Sequence, residues 1–164
     1  MRILIALVAF GCGAHPHAAL TNTAAPPALE VAACTVHFES ETEAGRKHSQ
    51  LSVAADGGIV WDGAVIGRLA ADGHIFEGTS LFATFDHGVL RLAREPGALQ
   101  LAPDGTTSDG RDPIPMITFE PDNTIKGTVI PGRDARYEGP PRCRVDAAIA
   151  ILVHFQHTFR IEIL

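Results

Sequence analysis

The chain has 164 residues, of which 46% are hydrophobic and 20% are charged, and its formal net charge is -6. This length and composition are those of one folded domain and exclude a chain that is disordered throughout. An acidic chain repels phosphate backbones, and its densest basic groups, Arg46-Lys47 and Arg142-x-Arg144, are too small for a nucleic-acid surface. We therefore expect no nucleic-acid partner.

The first predicted element is an export signal. Met1-Arg2 supplies a positive charge, Ile3 to Phe10 is an unbroken apolar run, and Gly11-Cys12-Gly13 follows. The run is far shorter than the ~18 residues that a membrane-spanning helix needs. The segment resembles a bacterial lipoprotein leader, in which a cysteine receives the lipid after cleavage. Residues 1–11 are thus predicted to be a signal peptide, with Cys12 as the lipid attachment site.

Two details leave alternatives to the lipid anchor. Lipoprotein leaders favour Leu three residues before the cysteine and commonly have a small residue two before it, whereas this chain has Ala9 and Phe10 at these two positions. Cleavage by an ordinary signal peptidase after Gly11, Gly13 or Ala14 would instead release a secreted protein. The remaining alternative is a chain that is not exported.

Residues 12–30 are predicted to be a flexible tether, because Ala14 to Pro27 is rich in Ala, Pro, Thr and Asn and has no apolar period. The remaining residues, 31–164, are predicted to form a single β-rich domain. In this arrangement the only expected partner that the sequence identifies is a membrane, bound through the lipid.

The three cysteines are Cys12, Cys34 and Cys143. If Cys12 carries a lipid, the other two are left to pair in an oxidising compartment, and this parity predicts a disulfide between Cys34 and Cys143. The alternative is two buried free thiols, which behave as small apolar side chains.

The domain is predicted to open with a strand. Cys34, Val36 and Phe38 alternate with polar residues, as in a strand with one buried face. A polar, charged turn is predicted from Glu39 to Ser49, before the next strand.

Asp-Gly pairs recur through the middle of the chain with similar residues before them. Asp56 and Asp72 are 16 residues apart, and Asp104 follows after a further 32. Asp-Gly between apolar runs is a strong hairpin signal, and 16 residues suffice for two short strands and two turns. The empty slot falls near Asp86-His87-Gly88, and Asp122-Asn123 is a candidate fifth copy. The pattern predicts an antiparallel meander.

After Gly139-Pro140-Pro141 the pattern becomes helical. Val145, Ile149 and Leu152 lie at i, i+4 and i+7, which predicts a helix from about Arg142 to about Gln156 that covers an end or a face of the sheet. Thr158 to Leu164 is predicted to be a last strand. The predicted fold is mainly β, an antiparallel meander or partly closed barrel with one C-terminal helix.

The leader, the Ala/Pro tether, the Asp-Gly repeats and the helix after Gly-Pro-Pro together resemble small predicted lipoproteins of δ-proteobacterial genomes. This resemblance covers most of the chain. It implies a cell-envelope localisation and this architecture, and it carries over no catalytic residue.

Several constellations could bind a metal, but each has a simpler explanation. The histidine pairs His15/His17 and His154/His157 have no evident third ligand, and Cys34 and His37 point to opposite faces of a strand. The loop with Asp104, Asp109 and Asp112 could bind calcium, yet turn formation explains its aspartates.

No nucleophile elbow, phosphate loop, nicotinamide fingerprint or zinc-protease motif occurs in the sequence. We therefore expect no cofactor, no metal and no catalytic residue that the sequence can identify. The predicted function is a non-enzymatic envelope lipoprotein, structural or binding a ligand or partner. The alternative is a small exported hydrolase with an unrecognised site.

Overall fold

The computed structural model describes residues 29–94, 96–130 and 133–155. These residues form one antiparallel sheet of twelve strands, in which every pair of consecutive strands except β9 and β10 is adjacent in the sheet. The strands are β1 (Cys34–Thr42), β2 (Gly45–Val53), β3 (Gly58–Trp61), β4 (Ala64–Leu69), β5 (His74–Glu77), β6 (Ser80–Asp86), β7 (Val89–Leu92), β8 (Ala98–Leu101), β9 (Thr107–Ser108), β10 (Thr118–Phe119), β11 (Thr124–Lys126) and β12 (Arg133–Glu138).

The sheet curls into a barrel with one seam. Strand β12 pairs with β1, so the two edges of the sheet are β9 and β10. Across this seam the Thr107 N–H donates to the Ile117 carbonyl at 2.9 Å, and the Met116 N–H donates to the Thr107 carbonyl at 2.8 Å. The predicted fold class, an antiparallel meander or partly closed barrel with one C-terminal helix, is confirmed.

Five turns lie together at one end of the barrel, which we call the base, and the opposite end is the mouth. Four of the base turns contain the aspartates at positions 56, 72, 104 and 122. In each, the aspartate Oδ1 accepts the backbone N–H two residues later, at 2.9 to 3.0 Å. The predicted Asp-Gly turns are therefore confirmed, and Asp122-Asn123 adopts the same hydrogen bonding.

The base turns follow the spacing seen in the sequence. In the slot between Asp72 and Asp104 stands a tighter turn, in which Asp86 pairs directly with Val89. His87 and Gly88 both have positive φ there, as a two-residue hairpin turn with this twist requires. At the turns of Asp56, Asp72, Asp104 and Asp122, the residues three before and three after the aspartate are buried, and the pairs Val53/Ile59 and Leu69/Ile75 almost completely so.

The helix α1 (Arg144–Phe155) runs through the barrel from base to mouth, after a 3-10 turn over Pro141–Cys143. Residues 146 to 153 are all buried, which is more than two full turns without an exposed side. A helix that is buried on every side lies inside a structure rather than on it. The helix is therefore enclosed by the strands, whereas the sequence predicted that it covers an end or a face.

The first hairpin differs from the prediction. Residues 39 to 49, expected to be a polar turn, continue β1 and β2 as paired strands, and only Glu43 and Ala44 form the turn. The pairing register places Glu39 opposite His48 and Glu41 opposite Arg46. Because opposite charges on facing residues stabilise an antiparallel pair, charged residues extend the hairpin here without a buried face.

Some predicted segments lie outside the described residues. These are the signal peptide, residues 1–11, most of the tether, and the strand predicted for Thr158 to Leu164. Leu29, assigned to the tether on sequence grounds, is 3% exposed and belongs to the core. The described fold thus includes the end of the predicted tether.

Candidate functional site

The barrel interior is filled by α1, so the candidate sites lie at its two ends. At the base, four polar side chains surround the start of the helix; we call them the base cluster, and they are Cys34, Tyr137, Cys143 and Asp146. Cys34 is 6% exposed, Cys143 0% and Asp146 2%. The Cys34 thiol donates a long hydrogen bond to the Cys143 carbonyl at 3.9 Å, and the Tyr137 hydroxyl donates to the Pro140 carbonyl at 2.7 Å.

Burial controls the protonation of the base cluster. It raises the pKa of Asp146 to about 6, opposed by the hydrogen bond from Ala32 and reinforced by the charge of Glu30. Burial and then the nearby Asp146 raise the pKa of Cys34 to about 12, and the same two causes raise the pKa of Cys143. Both thiols therefore keep their protons at neutral pH, and protonated thiols are poor nucleophiles and poor metal ligands.

The predicted disulfide between Cys34 and Cys143 is wrong. Both residues are free cysteines, although they share the base cluster. They pack as small apolar groups against the core, which is the alternative that the sequence left open. The parity of the cysteines consequently gives no support to the lipid at Cys12, and that prediction depends on the leader alone. Cys12 lies outside the described residues.

The chain enters the fold at the base through residues 29–33, which we call the N-terminal strap. Leu29 is inserted in the core, and its N–H donates to the Ala71 carbonyl in a base turn at 3.3 Å. The Ala32 N–H donates to Oδ2 of Asp146 at 3.3 Å, and Glu30 lies 3.8 Å from Arg142. The strap therefore joins the preceding residues to the base, at the end opposite the mouth.

The mouth has an aromatic floor. Trp61 and His154 stack with ring centroids 3.6 Å apart, and the Phe155 ring lies 6.3 Å from Trp61. Arg133 lies over Phe155, 4.9 Å from the ring centroid. Burial and the charge of Arg133 lower the pKa of His154 to about 4, so its ring is uncharged at neutral pH. Phe155 is buried, whereas Trp61 and His154 are partly exposed, so the accessible part of the floor is the uncharged Trp61–His154 stack.

Beside this floor is an open pocket of about 340 Å³ with a charged lining. It is lined by Glu39, Ser40, Glu41, Arg46, Arg133 and Asp134. Arg46 lies 3.6 Å from Glu39 and 3.9 Å from Glu41, so its charge is shared between two carboxylates. These groups are solvent-exposed, and pairs of this kind exchange readily with other partners.

Strand β2 extends beyond its described neighbour β3 at the mouth. Strand β3 pairs with β2 only from Leu51 to Val53, so no described strand pairs with Gly45–Ser49 on that side. Where the pairing of β2 with β3 ends, Asp62 makes the last two hydrogen bonds to β2. Its Oδ1 accepts the Gln50 N–H at 2.7 Å, and its own N–H donates to the Gln50 carbonyl at 2.8 Å. We call Gly45–Ser49 the free edge.

The other sequence candidates are dispersed. Cys34 is buried while His37 is exposed, as expected for opposite faces of β1. Asp104, Asp109 and Asp112 each bind backbone N–H groups of their own loop. Within residues 29–94, 96–130 and 133–155, no three potential ligands converge on a metal position. His15, His17 and His157 lie outside these ranges.

Sequence reasoning did not single out Asp146, Trp61 or the free edge. Two signals were available: an aspartate inside the long apolar run of the helix, and the only tryptophan of the chain next to an Asp-Gly turn. The free edge had no such signal, because strand pairing is set by the tertiary fold.

A comparison of the chain with known protein families, with characterised proteins and with solved structures found no match in any of the three. Among the described residues, no helix combines the length and the apolar character needed to cross a membrane.

Proposed function

We propose that this protein is an exported lipoprotein of the bacterial cell envelope, anchored through Cys12, and that its barrel is a non-enzymatic module that binds a partner at the mouth. The observation that carries the proposal is the position of the N-terminal strap. The strap is held at the base through Leu29 and the hydrogen bond from Ala32 to Asp146. The chain from the anchor would therefore enter the barrel at the base, and the mouth is the end opposite this point of attachment.

The filled interior supports a role for the outer surface. Barrels that carry small ligands keep a cavity between their strands, and here the side chains of α1 occupy that space. The interior residues Ala148 to Ile151 are completely buried in the barrel. A binding partner therefore meets the exposed rim, where the aromatic floor and the free edge lie.

The alternative, a small exported hydrolase, would require a histidine and a carboxylate converging in a deep cleft. Four histidine–carboxylate pairs occur among the described residues, and the side chains of all four are exposed. They are His37–Glu138, His48–Glu39, His74–Asp72 and His87–Asp86. Because none of these pairs lies in a deep cleft, the described residues favour the binding module.

The proposal is tested by growing an expressing bacterium with a labelled fatty acid and separating membranes from soluble protein. The full chain should carry the label and sediment with membranes, and Cys12→Ala should lose both properties, because only this thiol in the leader region can accept the lipid. Cys34→Ala is the matched control, since it removes a buried thiol and should leave the label in place. Label that survives Cys12→Ala would contradict the proposal.

A further inference from the structure

The free edge presents backbone groups that pair with no described strand. Gln50 directs its N–H and its carbonyl toward Asp62, on the β3 side of β2. Successive residues of a strand direct these groups to alternate sides, so those of His48 and Arg46 also point away from β1. Both residues are exposed. An extended segment of about five residues would therefore meet a row of backbone donors and acceptors here.

The side chains beside the edge do not select a charged occupant. Arg46 lies 3.6 Å from Glu39 and 3.9 Å from Glu41, and His48 lies 3.4 Å from Glu39. These contacts are all made within the hairpin of β1 and β2. The occupant is identified instead by the chain that emerges beside the edge.

The helix α1 ends next to the free edge. His154 stacks on Trp61, and Trp61 lies opposite Leu51 of β2, so the end of α1 is beside the point where β3 stops pairing with β2. The helix runs from base to mouth, and β3 runs the same way, antiparallel to β2. A chain that continues in this direction along the free edge would therefore be antiparallel to β2 and would extend the row of β3.

The sequence after α1 suits this position. Residues 156–164, which we call the C-terminal tail, lie outside the described residues. In the tail, Phe159, Ile161 and Ile163 alternate with Arg160 and Glu162, which is the pattern of a strand with one apolar face. Five tail residues suffice to pair with the edge. The others can link them to Phe155, because each extended residue spans ~3.4 Å.

The aromatic floor offers a surface for the apolar face of the tail. Trp61 and His154 are partly exposed. Trp61 is on the inner side of the sheet with its partner Leu51, and Ser49 of the free edge is on the same side as its buried partner Phe38. A strand on the free edge would therefore direct one of its faces toward the floor, and an apolar face is favoured there by burial.

We propose that the C-terminal tail pairs antiparallel with the free edge, Gly45–Ser49, and covers the aromatic floor with its apolar face. A sheet edge that a segment of the same chain occupies is protected from pairing with other chains. The inference does not depend on the lipid anchor or on a partner. It gives the tail the role of a cover over the mouth, which a partner binding there would meet first.

Hydrogen exchange of single backbone amides tests the pairing, in the full chain with Cys12→Ala. The Arg46 and His48 amides should be protected in this chain. Removal of residues 158–164 should speed their exchange by about tenfold or more, because each loses its hydrogen bond. The Lys47 amide points to β1 and is the internal control, whose exchange should change much less.

Two double variants test the pairing if the truncated chain does not fold. Arg160→Pro with Ile161→Pro removes whichever N–H of this pair faces β2, whereas Arg160→Thr with Ile161→Val keeps both N–H groups and favours a strand. The proline variant should lose protection at Arg46 and His48, and the Thr/Val variant should keep it. Acrylamide should also quench the fluorescence of Trp61 more strongly in the proline variant, because the floor is then uncovered.

Three results would overturn the inference. These are unprotected Arg46 and His48 amides in the full chain, protection that survives removal of the tail, and equal quenching of Trp61 in the two double variants. Surviving protection that increases with protein concentration would assign the edge to a second copy of the chain. Fatty-acid labelling at Cys12 is independent of all these measurements, so failure of the anchor and failure of the tail pairing are distinguishable.

Discussion

In the first turn of α1, the Asp146 carboxylate accepts the backbone N–H of Ala32 across 114 positions of the sequence. Ala32 lies in the strap that precedes the first strand, and Asp146 lies in the last helix of the described fold. The hydrogen bond therefore joins the entry of the chain to the end of the barrel interior. Its carboxylate is buried, so the junction responds to pH.

We predict that Asp146→Asn removes a pH-dependent part of the free energy of unfolding. The pKa of Asp146 is about 6 in the fold, above its value of ~4 in an unfolded chain, so the folded state is favoured by protonation. This stabilisation is fully present below about pH 4 and is lost as the pH rises through about 6. It amounts to about 3 kcal/mol.

The measurement is urea unfolding between pH 4 and pH 7.5, read as the difference between the full chain and each variant. The comparison with the full chain is needed because other aspartates also titrate. Backbone hydrogen bonds lower the pKa values of Asp72 and Asp104, so the stabilisation from these two residues is lost as the pH falls. The exposed Asp134→Asn is the matched control and should leave the profile unchanged. A profile of Asp146→Asn that parallels the original chain would contradict the prediction.

The two thiols of the base cluster should be inert in the folded protein. In the Cys12→Ala variant, which leaves only Cys34 and Cys143, a thiol-specific chromogenic reagent should not react until the chain is unfolded, when two thiols per chain should appear. Burial and the raised pKa of Cys34 are the physical reason. Mass spectrometry without reductant checks the same point, and a peptide pair linked through both cysteines would refute it.

Two glycines with the same backbone conformation should differ in their cost of substitution. Gly57 has φ of +87° and Gly63 has φ of +86°. A Cβ on Gly57 would stand 2.0 Å from the carbonyl oxygen of Leu69, the last residue of β4, whereas nothing lies within 4 Å of a Cβ on Gly63. Gly63→Ala should cost about 1–2 kcal/mol from backbone strain, and Gly57→Ala clearly more. Thermal unfolding of the two variants measures the difference, and equal costs would contradict the close approach at the base.

The only tryptophan gives an optical signal at the mouth. Because Trp61 stacks on His154, whose pKa is lowered to about 4, its fluorescence should change on acidification with a midpoint near pH 4. His154→Gln should abolish this transition, while His37→Gln, on the outside of β1, should leave it intact. A midpoint near pH 6.5, the ordinary value for a solvated histidine, would show that the stack is open to water.

The turns and the helix could be predicted from the sequence because their chemistry is local. The hydrogen bond from an aspartate carboxylate to the amide two residues later forms within one short turn and needs no distant residue. The helix α1 starts within two residues of the predicted position. The long charged hairpin could not be predicted, because Glu39 and Arg46 are brought together only by the pairing of two strands. The same is true of the free edge, because the point where β3 stops pairing with β2 is set by the tertiary fold.

The sequence of α1 indicated its position inside the barrel, but the i, i+4, i+7 pattern was interpreted as one apolar face of an amphipathic helix. Ala147 to Val153 has no polar residue on any side, which is typical of a helix surrounded by protein rather than laid on a sheet. The pairing of Cys34 with Cys143 failed for a different reason. Parity predicts which cysteines are available, but the environment of each thiol decides whether they react, and here both are buried and protonated.

The most direct test of the account is the mass of the N-terminal peptide of the mature protein, isolated from a bacterium that expresses the full chain. We predict a peptide that begins at Cys12, carries the diacylglyceryl group and is found in the membrane fraction. A mature chain that begins at Cys12 without lipid, at Ala14 or at His15, or that retains Met1 without lipid, would contradict it.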